Sequence, residues 1–402
     1  MSDSIKATQV SAVTPGPFVM ASGAVGALRP SAAPGPPLGR ALGAVQRAWP
    51  RLPRGLDAAE LDRLTAYLAR KSIGVAPIRL QWLTGGQSNP TYLLEQGARR
   101  MVLRKQPAGP LRQGSHAIDR EYRVMAALAH TVVPVPEMLH YCADPSIIGT
   151  PFYLMDHVSG RVFSDPTLPG MSSGARAALY DELARVLACL HDVDPDTVGL
   201  SDFGARGNYF GRRIEQWTQR YRQAQTQQIT AMDALIDWLP GRVPDDGRVR
   251  IVHGDYRIEN LVFHPTEPRA LALIDWEHAT LGHPYADLAH HAMVWLIPAE
   301  VWRGMAQADL QALGIPSQNA FIDAYLLRRQ AAAISNWDAY LAYSFFRMAA
   351  LVQTVCAPGA SPNMTAAECA RMAQRVEPLA ELGWQHALLH ERHTVRTQAS
   401  PH

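Results

Sequence analysis

The stretch IVHGDYRIENLVF, residues 251–263, places a polar cluster between two short apolar runs. The polar residues are His253, Gly254, Asp255 and Asn260. Short apolar runs separated by turn-forming residues are typical of two buried strands joined by a loop. Such a loop is often only a turn. It indicates a functional site when the rest of the chain supplies partners for its side chains.

A second carboxylate follows in the stretch LIDWEHA, where Asp275 stands twenty residues after Asp255. Asp255, Asn260 and Asp275 offer carboxylate and amide oxygens, which Mg²⁺ accepts while it keeps other positions for phosphate and water. Asn260 and Asp275 are therefore predicted to bind Mg²⁺, and Asp255 to accept the proton of a substrate hydroxyl, as phosphoryl transfer requires. The alternatives are a turn-capping Asp255, an Asx turn at Asn260 and a strand-end cap at Asp275.

The composition predicts a globular protein with a large core and disfavours nucleic-acid-binding and membrane-spanning proteins. The chain has 402 residues, of which 47% are hydrophobic and 18% charged, with a net charge of +2; this length suits two domains or lobes. No basic run carries interleaved aromatics, so nucleic-acid binding is not expected, and no apolar segment is long enough to span a bilayer.

None of the four cysteines forms a C-x-x-C pair or a zinc spacing, which predicts reduced thiols and a cytoplasmic protein. The oligomeric state stays open.

Periodicity divides the chain into three predicted parts. Residues 1–55 are rich in Pro, Ala and Gly and are predicted to form a disordered arm. Residues 56–157 are predicted to form a small N-lobe, in which a helix capped by Asp57 precedes four strands and one long helix. Residues 158–395 are predicted to form a large helical C-lobe, interrupted by short strands at the two polar segments. The fold class is α+β.

The two polar segments, HGDYRIEN and DWE, resemble the catalytic and metal-binding segments of the aminoglycoside phosphotransferase-like kinases, relatives of the protein kinases. The resemblance covers about residues 56–360, and six blocks in the correct order, with the two polar segments counted as one, are far more specific than a single block. It implies a two-lobed protein-kinase-like fold, and it is strongest for kinase-like proteins found alone or fused to acyl-CoA dehydrogenases. The other blocks are LTGGQSNPTYLL, MVLRKQP, REYRVM, TPFYLMDHVSGRVF and GHPYADLA.

The resemblance implies a cationic phosphate clamp on the third strand. Related kinases use Lys there, whereas this chain has Arg104 followed by Lys105. The two side chains point to opposite faces of a strand, so one of them is the clamp, and the sequence leaves open which one. Glu121, on the following helix, would pair with that cation. A plain helix-surface salt bridge is the alternative for Glu121.

The nucleotide loop and the hinge complete the implied ATP site. Gly85 and Gly86 would let the backbone approach the phosphates, and Ser88 would donate a hydrogen bond to them. In the hinge, the carbonyl group of Asp156 and the N–H group of Val158 would bind adenine through the backbone. Taken alone, this G-G-x-S pattern would also fit an ordinary hairpin.

Further residues near the opening stretch receive predicted roles or structural alternatives. Asp255 is the predicted general base, a role that generally contributes about 10²–10⁴-fold to the rate. Arg257 lies where a cation would touch the γ-phosphate, and a solvated surface Arg is the alternative. His253 is expected to support the loop by hydrogen bonding. Asp287, in GHPYADLA, is expected to be a structural acid; the family often has Asp where this chain has His283.

The late helices carry an aromatic stripe and one isolated cation. Trp337, Tyr340 and Tyr343 are predicted to be core residues in preference to lining an acceptor pocket. Arg347 stands in an apolar run, so it is expected to have an anionic partner, either a protein carboxylate or an acidic substrate.

These observations predict an ATP- and Mg²⁺-dependent phosphotransferase that acts on a hydroxyl of a small molecule. The resemblance implies a metabolic acceptor, such as a hydroxyacyl chain carried by coenzyme A. The alternatives are an aminoglycoside-type antibiotic kinase, a nucleotide-binding pseudokinase scaffold, and an enzyme that transfers a nucleotidyl group. A protein substrate is disfavoured, because no A-P-E signature of protein kinases is present.

Overall fold

The computed structural model describes residues 56–74, 77–83, 89–107, 117–357 and 364–398, with side chains through residue 395. These residues belong to one compact unit, Val45–His402. The predicted arm, residues 1–55, lies outside the described residues. In the described part of the chain, no helix is both long and apolar enough to cross a membrane.

The N-terminal half of the described chain is built on a five-stranded antiparallel sheet with strand order β1-β2-β3-β5-β4. One helix precedes the sheet and a second is inserted between β3 and β4. The bounds are α1 Ala58–Arg70, β1 Arg79–Trp82, β2 Thr91–Gln96, β3 Arg99–Lys105, α2 Ile118–Leu128, β4 Met138–Cys142 and β5 Phe152–Asp156. The predicted strands and helices of this half are thereby confirmed, with one omission.

Strand β4 was not predicted from the sequence, so the expected count of four strands was wrong by one among the described residues. Two prolines, Pro134 and Pro136, precede the strand, and proline provides no N–H donor for a sheet. The residues of β4 are mostly half-buried, so they lack the alternation that identifies a strand with one buried face. Pairing with β5 determines this strand more than its own pattern does.

Helix α1 begins as the sequence predicts. The Asp57 carboxylate accepts a hydrogen bond from the backbone N–H of Glu60, and the Glu60 carboxylate accepts one from the backbone N–H of Asp57. The helix packs against one face of the sheet, where Leu64, Leu68 and Leu103 share a buried cluster. Since neighbouring residues of a strand alternate between faces, Arg104 of β3 projects from the opposite face. That face is turned towards α2 and the C-terminal half.

The C-terminal half is mainly helical, as predicted. Its helices are α3 Ser173–Asp192, α4 Tyr209–Ala224, α5 Thr230–Trp238, α6 Tyr285–Ala292, α7 Leu310–Leu313, α8 Gln318–Arg328, α9 Trp337–Cys356, α10 Ala366–Ala373 and α11 Val376–Gln398. Its strands are β6 Arg250–Val252, β7 Leu261–Phe263, β8 Ala270–Leu273 and β9 Thr280–Gly282. Strand β6 pairs with β9, and β7 pairs with β8 in a hairpin. The three-residue strand β9 had not been predicted.

The aromatic stripe of α9 belongs to the core. Tyr340 and Tyr343 are buried, and both rings contact Phe210 of α4. Trp337 is half-buried at the start of the helix and packs on the same core. The structure therefore confirms the core interpretation of these aromatics. Arg347, from the same helix, instead reaches the polar cluster described below.

Candidate active site

The loop after β6 and the β7–β8 hairpin bring the three predicted oxygen-bearing side chains to one place. The backbone N–H of Ile274 donates to the carbonyl oxygen of Asn260 at 2.9 Å, so Asp275 follows directly beside Asn260. His253 is buried, and its Nε2 bonds the carbonyl oxygen of Ile274 at 3.0 Å, which fixes the first loop against the hairpin. His253 thus supports the loop, as expected.

Both oxygens of the Asp255 carboxylate are held by neighbouring side chains. Oδ1 lies 3.0 Å from Nε2 of His290, while Oδ2 accepts hydrogen bonds from Arg257 and Asn260, each at 3.1 Å. Burial acts to raise the pKa of Asp255, but the hydrogen bond with His290 and the charge of Arg257 lower it below its ordinary value. The carboxylate is therefore ionised and oriented at neutral pH, as a group that accepts a proton must be.

Asp275 lies at the end of the hairpin in a left-handed backbone conformation, with φ 68° and ψ 58°. Such a conformation is uncommon for a residue with a side chain and persists where surrounding contacts hold it. Oδ1 of Asp275 accepts a hydrogen bond from Nη2 of Arg104 at 3.0 Å. Glu277 lies 3.8 Å from the same guanidinium nitrogen. Strand β3 and the hairpin therefore meet at Arg104.

Arg104 also pairs with the predicted acidic partner. Its Nε lies 3.0 Å from Oε2 of Glu121, and Glu121 is almost fully buried. Asn89 donates a hydrogen bond to the other oxygen of Glu121 at 2.7 Å, and the Tyr153 hydroxyl donates to Oε2 at 3.0 Å. The surface alternative for Glu121 is wrong, because this ion pair lies in the interior. The roles of Asn89 and Tyr153 had not been predicted.

Lys105 points away from this cluster. Its Nζ donates to the carbonyl oxygen of Ile148 at 2.6 Å, and burial lowers its pKa. Of the two candidate clamps, Arg104 therefore contacts Glu121 and Asp275, whereas Lys105 contacts the backbone of another segment. A function for Arg104 towards phosphate remains a prediction.

The buried carboxyl of Glu121 is expected to make stability depend on pH. Burial raises its pKa from an ordinary 4.5 to about 7, although Arg104 acts in the opposite direction. Between these values the folded chain binds more protons at this site than the unfolded chain does. This contribution to the free energy of unfolding therefore falls as pH rises through that window and is constant above it.

Glu121→Gln should remove that slope, because the amide does not titrate. The measurement is urea denaturation of both proteins at several pH values between about 4.5 and 8. The difference between the two unfolding free energies should change across this window and level off above it. A difference that stays constant with pH would contradict the assignment.

Asp287 holds the backbone of the loop that carries Asp255. Its oxygens accept hydrogen bonds from the N–H groups of His253 at 2.6 Å and Gly254 at 2.8 Å. His191 lies 3.4 Å from the same carboxylate. Burial acts to raise the pKa of Asp287, and the contact with His191 lowers it below the ordinary value. These contacts agree with the expected structural role.

His283, where the family often has Asp, does not take part in these contacts. Its Nε2 lies 3.2 Å from the carboxylate of Asp246.

Gly254 is required by both conformation and space. Its φ is +81°, and an added Cβ would lie 2.6 Å from the carbonyl oxygen of His278. The neighbouring atom is backbone, so it has little freedom to move. The absence of a side chain at Gly254 lets the Asp255 loop approach the turn that follows Asp275.

Gly254→Ala is therefore expected to destabilise the protein by on the order of 1–3 kcal/mol and to shift Asp255 relative to Asp275. Thermal and urea denaturation measure the loss of stability, and the rate of ATP turnover reports the shift of Asp255. Gly170→Ala is a suitable control, since it shares a φ of +81° but has no atom within 4 Å of the added Cβ. Equal losses in the two variants would show that close approach at Gly254 is unimportant.

The other predicted nucleotide contacts belong to the glycine loop, which lies outside the described residues, and to the hinge, which the structure describes. Gly85, Gly86 and Ser88 lie outside the described residues. At the hinge, the N–H of Asp156 bonds the carbonyl oxygen of Glu137 at 2.9 Å, so this donor is used within the protein. The predicted adenine contacts, the carbonyl of Asp156 and the N–H of Val158, remain predictions.

The donor set fits Mg²⁺ bound together with a nucleotide. Nδ2 of Asn260 bonds Asp255, so Oδ1 is the atom of that amide able to ligate a cation, and Asp275 offers a carboxylate beside it. Among the described residues, no group of three or more His, Cys, Asp or Glu side chains could hold a metal. One carboxylate and one amide suit Mg²⁺, which completes its shell with phosphate and water.

Comparison with known proteins identifies the family. The model of the phosphotransferase enzyme family matches residues 79–332, and the chain belongs to this family. A protein from Ralstonia eutropha, provisionally assigned as an aminoglycoside phosphotransferase, has 43% identical residues and a TM-score of 0.75; the match covers 83% of this chain and 98% of that one. The kinase-like fold class predicted from the sequence is thereby confirmed.

More distant structures share the fold only. The aminoglycoside phosphotransferase APH(4)-Ia has 16% identity and a TM-score of 0.53, over 80% of this chain and 99% of its own. Macrolide 2'-phosphotransferase from Brachybacterium faecium has 19% identity and a TM-score of 0.51, over 79% of this chain and 99% of its own.

Relatives with established names are longer proteins. Acyl-CoA dehydrogenase family member 10 of Mus musculus is 42% identical over 333 residues, which cover 82% of this chain and 31% of the relative. Family member 11 of Homo sapiens is 40% identical over 329 residues, which cover 80% of this chain and 42% of the relative. The chain thus spans less than half the length of these relatives.

Proposed function

We propose that this chain transfers the γ-phosphoryl group of ATP to a hydroxyl of a small molecule in the cytoplasm. The observation that carries the proposal is the meeting of Asp255, Asn260 and Asp275 with the buried Arg104–Glu121 pair. A base beside oxygen ligands and a fixed cation is the arrangement that phosphoryl transfer needs. The fold neighbour APH(4)-Ia has been solved with ADP and hygromycin B and with AMP-PNP and hygromycin B, which supports nucleotide binding by this fold.

Each side chain has a distinct task in this proposal. Asp255 accepts the proton of the attacking hydroxyl and orients it towards the phosphorus. Arg104 holds the nucleotide phosphates, and Glu121 keeps its guanidinium in place. Asn260 and Asp275 hold Mg²⁺, which neutralises phosphate charge when bound. Arg257 lies 3.1 Å from Asp255 and supplies positive charge on the acceptor side.

A pocket beside Asp255 is the proposed acceptor site. Arg257 and His290, which both contact Asp255, line this pocket, so it lies next to the residues that hold the base. Most of its wall is apolar. The apolar residues include Ile258, Met293, Val294, Ile297, Trp302 and Met348.

The charges in the wall disfavour a polycationic acceptor. The acidic lining residue, Glu259, pairs with Arg257 at 3.0 Å and also with Arg303. A polycation would meet two guanidinium groups against one neutralised carboxylate. An acceptor with an apolar chain and a negative group suits the wall better. These features favour a hydroxyacyl acceptor, such as a hydroxyacyl thioester of coenzyme A, over an aminoglycoside. The names of the acyl-CoA dehydrogenase relatives agree with that choice.

An acceptor panel tests the choice directly. Purified protein, Mg²⁺ and labelled ATP are incubated with hydroxyacyl thioesters of increasing chain length and with aminoglycosides. We expect turnover of the thioesters. Val294→Trp should fill the pocket and raise KM for them by about 10-fold or more, the scale of a blocked apolar subsite. The matched control is Val132→Trp at an exposed position, which should not change KM. Turnover of aminoglycosides alone would reverse the acceptor assignment.

A further inference from the structure

His290 of α6 contacts the carboxylate of Asp255 from the acceptor side. Its Nε2 lies 3.0 Å from Oδ1, the oxygen that neither Arg257 nor Asn260 bonds. His290 is buried, with 7% of its side chain exposed. The orientation of Asp255 therefore depends on a histidine that the sequence patterns had not singled out. An ionised carboxylate only accepts hydrogen bonds, so Nε2 of His290 must carry a proton.

Arg347 of α9 keeps the other ring nitrogen unprotonated. Its Nη1 lies 3.3 Å from Nδ1 of His290. A guanidinium has only donors, so Nδ1 must accept, and an imidazole whose Nδ1 accepts carries its proton on Nε2. Burial also lowers the pKa of His290, which favours the neutral ring. His290 is thus a neutral Nε2–H donor to Asp255.

Arg347 is itself held against the same loop. Its Nη2 donates a hydrogen bond to the carbonyl oxygen of Gly254, the residue before Asp255. Its guanidinium lies 5.8 Å from the centre of the Trp217 ring of α4. Among the described residues no carboxylate pairs directly with Arg347, so the predicted protein carboxylate was wrong: neutral His290 stands between Arg347 and the Asp255 carboxylate. An acidic substrate as its partner stays a prediction. Helices α4, α6 and α9 are joined to the loop through this one side chain.

We propose that Arg347 and His290 are positioning residues, which present the Asp255 carboxylate to the acceptor hydroxyl in one fixed orientation. Arg347 keeps Nδ1 unprotonated and the ring neutral, and the Nε2–H of His290 holds Oδ1. The proposal rests on the proposed function, since it assigns these residues to the alignment of the same base. A carboxylate bonded through Oδ2 alone would rotate about its Cβ–Cγ bond, and misplacement of a reacting group by about 1 Å can cost on the order of 10²-fold in rate.

The first test reads the tautomer and needs no acceptor. Nitrogen NMR of histidine-labelled full-length protein distinguishes a protonated from an unprotonated ring nitrogen. His290→Gln identifies the signals of His290 by their loss. We expect protonated Nε2 and unprotonated Nδ1 in the parent protein, and protonation of both nitrogens in part of the Arg347→Met protein at the same pH. Protonation at Nδ1 in the parent protein, or an Nδ1 that stays fully unprotonated in Arg347→Met, would overturn the proposal.

The second test reads turnover as ATP hydrolysis without acceptor, in which water replaces the hydroxyl. His290→Leu should lower kcat on the order of 10-fold to 100-fold and change KM for ATP little, because the nucleotide contacts remain. His290→Gln should recover much of the loss, since its amide can donate from a similar position. A merely structural histidine would not give this rescue. The control is His386→Gln, which removes a comparable His–Asp pair, with Asp338 at 2.8 Å, elsewhere in the lobe.

The outcomes separate this inference from the proposed function. An unchanged kcat in His290→Leu, or no recovery in a folded His290→Gln, would overturn the positioning role while leaving phosphoryl transfer intact. Absence of all ATP turnover in the parent protein would count against the proposed function and, with it, against the positioning role. The NMR measurement would still decide whether Arg347 keeps Nδ1 of His290 unprotonated.

Discussion

Asp255→Asn should lower the rate of phosphoryl transfer by about 10²–10⁴-fold, the usual contribution of a general base. The amide keeps the shape of the carboxylate but cannot accept a proton from the hydroxyl. A loose transition state with little bond formation would place the loss near the lower end of that range. ATP binding should change little, because Asp255 faces His290 and Arg257 rather than Arg104. Steady-state kinetics and binding of a non-hydrolysable ATP analogue measure the two effects separately.

A matched control for this substitution is Asp196→Asn, which alters an exposed carboxylate paired with Arg206. Its turnover should equal that of the parent protein. Parental turnover in a folded Asp255→Asn would remove the base role from Asp255. Such a result would favour the scaffold alternative if the acceptor-free rate were also very low in both proteins.

Asp275→Asn should have the next largest effect. It removes charge from the predicted Mg²⁺ ligand and from the partner of Arg104 at 3.0 Å. We expect kcat/KM for Mg·ATP to fall on the order of 10²–10³-fold, the scale for losing one preorganised electrostatic partner. The amide still has a carbonyl oxygen, so higher Mg²⁺ concentrations should restore part of the rate.

A titration of rate against Mg²⁺ concentration measures this effect. The midpoint should move to higher Mg²⁺ in Asp275→Asn and stay unchanged in Asp196→Asn. Asn260→Ala should move it in the same direction, because it removes the amide ligand. An unchanged Mg²⁺ midpoint in both ligand variants would show that the metal, if required, is held elsewhere.

The sequence predicted most of the fold because its helices have strong local signals. Helix α4, Tyr209–Ala224, is an example, since apolar residues recur along one face and charged residues fill the other. Strand β4 was missed because prolines precede it and its burial does not alternate, and β9 because it has three residues and pairs with the distant β6. The alternation of β3 placed Arg104 and Lys105 on opposite faces, but only packing against α2 shows which face carries the cluster.

The candidate site was predictable where one segment carries several functional residues. Asp255 and Asn260 belong to one loop, and the block that contains Asp275 follows within a hairpin. Asn89 and His290 act through contacts that link residues far apart along the chain, and no local pattern marks them. A polar residue in an apolar helical run is the one available signal. That signal did single out Arg347, though without its partner.

Analysis of the nucleotide product tests the central claim most directly. The protein is incubated with Mg²⁺, a hydroxyacyl thioester and ATP labelled at the γ-phosphorus. The nucleotide and the acceptor are then separated, and the mass and label of each are measured. A phosphoryl transferase that uses Asp255 should release ADP and place the label on the acceptor hydroxyl, and Asp255→Asn should form this product far more slowly. Release of labelled pyrophosphate, with an unlabelled adenylyl group on the acceptor, would contradict the account.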